Sequence, residues 1–394
     1  MARGWCCVAL LCAAINASAQ SAPSGGTAGP RLIPRTSAER EAQYTARHRI
    51  LLNVQVTDPS GHAVTGLNAQ DFALRINHQP ETITSFQAIQ DGGARAHARA
   101  FLVIDMLNNS AHDLAKAHEA IRKLAASANW LPLPTSLVVL TEKGTEVSGP
   151  TRNAEEVVTE LERVTRNFHP KDCTEDWNNA ALGKAIGTFT SLDDINRAKD
   201  REKTADRIGS CLNRKYQLSF GALLDFAHHQ KDVPGRAILI WIGPGWPILS
   251  GPEFAVETPD VRQNFFANLV QVSTELREGQ VTLDAVSWPA SSPIAKLTPS
   301  DLETLKRGTS TAAQASARSV AMPMLAHLSG GQVYMHEKNL TPELAACLAD
   351  ANSYYVLGFV SAPSAVSDEL RTIEVKVDKP GLTVRTNSEY YAQP

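Results

Sequence analysis

The pattern of apolar and polar positions differs between the middle of this chain and the segments on either side of it. The middle has the pattern of alternating strands and helices. The segments Phe101–Ile104 and Ala237–Ile242 are continuously apolar, as is typical of parallel strands covered on both faces. Further strands are predicted at Ser136–Leu140, Val281–Val286 and Gln332–Met335. Apolar positions at helical spacing predict helices at Leu114–Leu124, Glu155–Val164, Phe220–His229, Val261–Leu276 and Leu325–Leu328. This alternation predicts an α/β fold with a doubly wound, mostly parallel sheet.

The segments on either side of this region have the pattern of antiparallel strands. Before it, strands are predicted at Leu52–Val56, Phe72–Ile76 and Thr82–Phe86. After it, strands are predicted at Tyr354–Val360, Ile373–Val377 and Leu382–Arg385. Each set is too small to form a stable domain alone. We therefore expect the N- and C-terminal segments to pair into one antiparallel β-sandwich, with the α/β domain inserted between its halves.

The first residues have the pattern of an export signal. Arg3 provides a positive charge, Cys6–Ile15 is a short apolar run, and Ala17–Ala19 is a small-residue cleavage site. About ten apolar residues are too few to span a bilayer, which needs about 20. A lipid anchor on Cys12 is the alternative, and it is disfavoured because Leu11 fills the place of a small residue. We expect an exported protein, either periplasmic or extracellular.

These patterns predict a domain organisation with five parts. They are a signal peptide at 1–19, a linker at 20–48, the first half of the sandwich at 49–92, the α/β domain at 98–350 and the second half of the sandwich at 352–394. The charge argues against some partners: 38 basic and 41 acidic residues among 394 give a formal net charge of −3. Since nucleic-acid binders normally carry a basic excess, we expect no nucleic-acid partner. We also expect no membrane span after signal cleavage, and the oligomeric state stays open.

Three cysteines remain after the signal. Cys173 and Cys211 lie in one polar insertion, and export into an oxidising compartment allows them to form a disulfide. Cys347 lies in a helical pattern, which favours a buried thiol. Their spacing does not resemble that of a zinc site.

The sequence lacks the common enzyme motifs, but one polar position stands out. Asp105 ends the first central strand and is followed by Asn108, Asn109 and Ser110. In an open α/β sheet, ligands bind at the carboxyl ends of the strands, near a topological switch point. A carboxylate and short oxygen-bearing side chains suit a hard cation such as Mg²⁺. The alternative is that Asp105 caps the following helix or forms hydrogen bonds.

At these positions the chain resembles the von Willebrand factor A-related proteins of acidobacteria, which are exported proteins. The resemblance covers about residues 50 to 392 and is carried by Val54–Asp58, Val64–Leu67, Asp71-Phe72, Leu102–Asp105 with Asn108, Pro234–Arg236, Leu328–Gly331, Tyr354–Phe359, Ile373–Val377 and Tyr390–Ala392. It implies a doubly wound sheet and protein binding through a metal-ion-dependent adhesion site.

The adhesion site of that family has the motif D-x-S-x-S, with a Thr and an Asp from later loops. The resemblance places Asp105 at the first position, Leu107 in place of the first Ser and Asn109 in place of the second. Ser219 stands in for the Thr, and Gly243 with Pro244 occupies the position of the later Asp. It therefore implies a degenerate metal site, made of Asp105, Asn109 and Ser219, for Mg²⁺ or another divalent cation. The loss of the first Ser and of the later Asp is expected to remove strong binding of the metal.

The leading hypothesis is a non-enzymatic binding or scaffold protein of the cell envelope with a protein ligand. We expect the ligand to contact a surface made of Asp105–Ser110, Gly243–Pro247 and Trp288–Ser292, with Asn108, Ser110, Trp246 and Trp288 as contact residues. The alternative for these tryptophans is packing in the core. Two other functions are an exported hydrolase that uses Asp105, and a purely structural module that binds partners by β-strand addition.

Overall fold

The computed structural model describes residues 45, 48–90, 98–128, 130–166, 173, 192–246, 258–288, 308–335, 339–349 and 353–394, without the side chains of 192–206 and 208. The predicted signal peptide lies outside the described residues, as does the predicted linker apart from Thr45 and His48. Residues 45–394 form one compact unit. No helix within the described ranges is long and apolar enough to cross a membrane.

The unit contains fourteen strands and six α-helices among its described residues. The strands are β1 (Arg49–Thr57), β2 (Phe72–Ile76), β3 (Gln79–Glu81), β4 (Ser85–Ile89), β5 (Arg99–Asp105), β6 (Trp130–Thr141), β7 (Gly144–Asn153), β8 (Ala237–Ile242), β9 (Val281–Ser287), β10 (Val333–Met335), β11 (Tyr354–Val360), β12 (Glu369–Val377), β13 (Thr383–Arg385) and β14 (Glu389–Ala392). The helices are α1 (Ala111–Ser127), α2 (Ala154–Thr165), α3 (Leu192–Gln230), α4 (Pro259–Glu278), α5 (Met322–Leu328) and α6 (Thr341–Ala349).

The central sheet has six strands in the order β10-β9-β8-β5-β6-β7. All neighbours are parallel except β7, which pairs antiparallel with β6. Counted along the chain, this is the order 3-2-1-4-5-6 of a doubly wound sheet, read from β7 to β10. The strand order therefore reverses between β5 and β8, and this pair forms the topological switch point.

Helices cover both faces of this sheet, because the central strands are apolar on both sides. Leu102 and Ile104 of β5 pack in one cluster with α1, α2 and α6. Val103 points to the other face, where it packs in a second cluster with α3, α4 and α5. Every residue of β8 is buried, which accounts for its continuously apolar sequence. The structure is thus a mixed α/β fold with a mostly parallel sheet between two helical layers.

The N- and C-terminal segments pair with each other in two four-stranded sheets. The orders are β13-β1-β11-β4 and β14-β12-β2-β3, and all of these pairs are antiparallel. Leu52 of β1, Leu74 of β2 and Ile373 of β12 belong to one apolar cluster that both sheets share. The face-to-face arrangement of a sandwich and the exact domain boundaries stay predictions.

Several elements differ from the sequence-based expectation. Strand β4 begins three residues later than the predicted Thr82–Phe86, and Thr84 donates its backbone N–H to Gly358 O just before β4 begins. Strand β7 was not predicted, because it is a polar, largely exposed edge strand that contains Gly149 and Pro150. Helix α3 extends far to the N-terminal side of the predicted Phe220–His229.

Candidate functional site

Asp105 lies at the switch point, as the last residue of β5, and its side chain is completely buried. The chain then turns through residues 106–110 into α1, whose N-terminus is capped by Ser110. The Ser110 hydroxyl accepts a hydrogen bond from Asp113 N at 3.1 Å and donates one to Asp113 Oδ2 at 2.7 Å. Asp105 is thus not the cap of α1, and its carboxylate faces the loop and helix α3 instead.

Three side chains from two separate parts of the chain meet at this point. Asn108 donates its side-chain amide to Asp105 Oδ2 at 2.7 Å and to Ser219 Oγ at 2.8 Å. Ser219, which is fully buried in α3, lies with its Oγ 3.2 and 3.3 Å from the two carboxylate oxygens of Asp105. We call Asp105, Asn108 and Ser219 the switch-point cluster.

The backbone of the loop adds two donors to the same carboxylate. Asp105 Oδ1 accepts hydrogen bonds from Leu107 N at 3.1 Å and from Asn108 N at 3.3 Å. Burial raises the pKa of Asp105 to about 6, and the hydrogen bonds from Asn108, Ser219 and Leu107 act in the opposite direction. The carboxylate therefore accepts several hydrogen bonds from the chain and has no solvent-exposed surface.

Asn109 points away from this cluster. Its side-chain amide donates to Asp105 O and to Ile242 O, both at 2.9 Å, and so ties the end of β5 to the end of β8. Gly243 follows β8 with a φ of +148°, and a Cβ there would lie 2.6 Å from Asn109 Nδ2. Glycine at this position allows the backbone to pass close to the Asn109 amide.

The structure thus brings together two of the three predicted metal ligands, Asp105 and Ser219, and places Asn109 on backbone carbonyls. The residue that connects them is Asn108, which the sequence pattern assigns only to the ligand surface. The signal was its position three residues after Asp105, where an amide can reach back to a carboxylate. Asn108 and Ser110 both follow the carboxyl end of β5, where Asn108 is half-buried and Ser110 is exposed.

The expectation that Trp246 and Trp288 are contact residues at the surface is wrong. Trp246 is 2% exposed, because its ring packs edge-on against Phe220 and Trp241, and its Nε1 donates to Val320 O at 3.0 Å. Trp288 is 1% exposed and belongs to the apolar cluster that also contains α1 and α6. Their packing in the core leaves neither ring available to a ligand. Pro247 and residues 289–292 of the predicted surface lie outside the described residues.

The residues at the switch point do not fit the divalent cation that the resemblance implies. Asp105 is the only carboxylate of the cluster, and both of its oxygens already accept hydrogen bonds. Leu107, in place of the first Ser of the motif, is buried and apolar. Within the described ranges, no group of three or more His, Cys, Asp and Glu side chains is arranged to hold a metal ion.

The three cysteines among the described residues are in two states. Cys173 and Cys211 form a disulfide, and 38 positions separate them in the sequence. Cys211 lies on α3, the helix that also carries Ser219. Cys347 is buried in α6 and does not take part in a disulfide.

Comparisons with known proteins found similar structures but no similar sequences. No family model matches this chain, and no curated protein matches it. One similar structure is the crystal structure of manganese-loaded Plasmodium vivax TRAP protein, with a TM-score of 0.32 and 10% identity over 79% of this chain and 98% of that chain. Another is the crystal structure of the human COPII-coat protein Sec24c, with a TM-score of 0.29 and 9% identity over 75% of this chain and 44% of that chain.

Proposed function

We propose that this chain is an exported, non-enzymatic binding or scaffold protein of the bacterial cell envelope, with a von Willebrand factor A-like domain that mediates protein–protein interaction. The observation that carries the proposal is that the carboxylate at the switch point is buried and hydrogen-bonded within the chain. The place where an α/β sheet normally binds its ligand holds a buried cluster whose carboxylate is satisfied by the chain itself. The exposed surface beside it is then the part that can meet a partner.

This exposed surface lies at the carboxyl edge of the central sheet. It consists of Ser110–His112 at the start of α1 and Glu142-Lys143 in the turn between β6 and β7, and we call it the rim. The terminal sheets contact the opposite edge of the central sheet. Gln280, which precedes β9, donates its side-chain amide to Leu51 O at 3.2 Å. The rim therefore faces away from these contacts.

The surroundings of two hydroxyl groups, those of Thr165 and Ser219, disfavour a hydrolase that would use them. A serine or threonine nucleophile must donate its proton to a base. Thr165 instead donates its hydroxyl to Leu161 O at 2.6 Å, although His118 Nε2 lies 2.8 Å from the same oxygen. Ser219 and Asp105 are the hydroxyl–carboxylate pair of the switch point, and both are completely buried, so a substrate has no access to them.

The disulfide supports the proposal that the protein is exported. Disulfides form and persist in oxidising compartments such as the periplasm and the extracellular space, and they are rare in a reducing cytosol. Cys173 and Cys211 form such a bond in this unit.

Site-specific photocrosslinking in the native host tests the proposed function. A photoreactive residue at His112 or Lys143 should give a discrete protein adduct, and Lys143→Glu should weaken that adduct when the probe is at His112. Matched controls are probes at the exposed Val366 and Ala88, and the substitution Lys376→Glu on a terminal sheet. Adducts from Ala88 in the edge strand β4, without adducts from the rim, would overturn the proposal in favour of β-strand addition.

A further inference from the structure

The side-chain amide of Asn108 lies between the Asp105 carboxylate and the Ser219 hydroxyl, which belong to two of the three predicted metal ligands. It is 2.7 Å from Asp105 Oδ2 and 2.8 Å from Ser219 Oγ, and both contacts use the same Nδ2 atom. An amide nitrogen with two hydrogens can satisfy two acceptors at once. The two acceptors belong to different elements, since Asp105 ends β5 and Ser219 lies within α3.

This bridge leaves the Asp105 carboxylate without a free coordination position. Oδ1 accepts from the N–H groups of Leu107 and Asn108, and Oδ2 accepts from the Asn108 side chain, with the Ser219 hydroxyl close to both oxygens. A cation would have to displace the Asn108 amide to reach the carboxylate. It would also have to enter a site in which Asp105 and Ser219 have no solvent-exposed surface.

The remaining oxygens around the cluster are poor substitutes for charged ligands. Asn108 Oδ1 and Asn109 Oδ1 are buried and accept no hydrogen bond within the described part of the chain. Both are neutral amide oxygens, however, and Asn108 Oδ1 is at the far end of an amide whose nitrogen faces the carboxylate. A site with one carboxylate holds a divalent ion such as Mg²⁺ together with several of its waters, and the buried Asp105 and Ser219 leave no solvent-exposed surface for those waters.

We infer that Asn108 acts as an internal replacement for a divalent cation and holds the loop of residues 106–110 to α3 in one arrangement without metal. Asn108 is thus a positioning residue, and the switch point is closed to Mg²⁺ and Mn²⁺. The rim, which continues from this loop at Ser110, keeps its shape in the presence of a chelator. This inference concerns the site itself and does not rest on the proposed function.

The test measures Mn²⁺ binding to the folded chain. Water proton relaxation detects the bound ion, and thermal unfolding compares the melting temperatures in EDTA and in millimolar Mn²⁺. The wild-type protein should bind no Mn²⁺ at this site, and its melting temperature should be the same in both solutions. Asn108→Asp should reverse this behaviour, because it removes the amide and places a second carboxylate beside Asp105. This variant should be less stable than wild type in EDTA and should recover stability in Mn²⁺.

Asn108→Leu is the matched control, since it has a similar size but neither donates hydrogen bonds nor carries charge. It should lower the melting temperature in both solutions, and Mn²⁺ should not restore it. Two outcomes would overturn the inference. One is stoichiometric Mn²⁺ binding by the wild-type protein that Asp105→Asn abolishes. The other is an Asn108→Leu variant as stable as wild type, because the amide would then hold nothing in place.

Discussion

The guanidinium of Arg236 lies 5.1 Å from the centre of the Tyr354 ring. Arg236 directly precedes β8 of the central sheet, and Tyr354 begins β11 of a terminal sheet, so this contact joins the two parts of the fold. Arg236 is 3% exposed, and its Nε donates to Thr282 Oγ1 at 3.0 Å. A cation over an aromatic ring is attracted by the ring's negative face, most strongly where water is excluded.

Replacing Arg236 with Met should therefore weaken the junction between the central and terminal sheets. The variant loses the contact with Tyr354 and a charged hydrogen bond, and we expect the free energy of unfolding to fall by about 2 to 4 kcal/mol. Urea unfolding followed by tryptophan fluorescence measures this change. Arg75→Met on the exposed face of β2 is the control and should change stability by less than about 0.5 kcal/mol. Equal losses in both variants would contradict the assigned role.

Glu389 makes the stability of the protein depend on pH. Its side chain is 5% exposed and lies against Gly308, and burial raises the pKa of its carboxyl to about 7 from an ordinary value of 4.5. Between these values the folded chain keeps a proton that the unfolded chain has released. The stabilisation from this proton is complete below pH 4.5 and is lost as the pH rises through about 7.

We therefore expect Glu389→Gln to be more stable than wild type at about pH 8, by up to roughly 3 kcal/mol, and equally stable at about pH 4. Chemical unfolding across this pH range measures the difference between the two proteins. Subtracting the two curves also removes the contribution of Asp105, whose raised pKa acts in the same direction. Glu142→Gln in an exposed turn is the control. A pH profile unchanged by Glu389→Gln would show that the carboxyl is already charged in the folded state.

The main architecture could be predicted from the sequence because burial leaves a local pattern. All six side chains of β8 are buried, so its strand is visible as an unbroken apolar run. The bounds of β2 and β11 are also the predicted ones. Strand β7 leaves no such pattern because it is the last strand of the described sheet and most of its side chains are in solvent.

The site was predicted only in part, since its geometry depends on contacts between distant parts of the chain. The position of Asp105 follows from the end of a buried strand, but 111 positions separate Asn108 from Ser219. Nothing near Asn108 in the sequence indicates that its amide faces Ser219. The expectation for Trp246 is wrong for a similar reason. Its ring follows the end of β8, but it packs in a core cluster to which the distant helix α3 contributes.

The disulfide should make a measurable contribution to stability. Cross-linking Cys173 to Cys211 closes a loop across 38 positions, which in the chain-entropy model stabilises the folded state by about 4 kcal/mol. The variant Cys173→Ser/Cys211→Ser should therefore melt at a lower temperature than the oxidised wild type. Reductant should lower the melting temperature of the wild type and leave that of the double variant unchanged. If reductant affected both proteins equally, its action would not be on this bond.

Asn109 and Gly243 should behave as one structural unit in a double-mutant cycle. Asn109 joins the ends of β5 and β8, and Gly243 leaves the space for its amide. Gly243→Ala introduces a methyl group that displaces this amide and also strains a backbone with a φ of +148°. In a chain that already carries Asn109→Ala, only the backbone strain remains, because the amide is gone. The cost of Gly243→Ala should thus be smaller in that background by about 1 kcal/mol or more.

A control at another glycine separates the cost of backbone strain from the cost of displacing the Asn109 amide. Gly61 has a φ of +83°, and no atom of the described residues lies within 4 Å of the position of a Cβ, so Gly61→Ala measures backbone strain alone. Its cost should be the same with and without Asn109→Ala, since the two positions share no contact. Urea unfolding of the six proteins gives both comparisons. Additive effects of Gly243→Ala and Asn109→Ala would mean that the Asn109 amide does not fill the space above Gly243, and that something else holds the ends of β5 and β8 together.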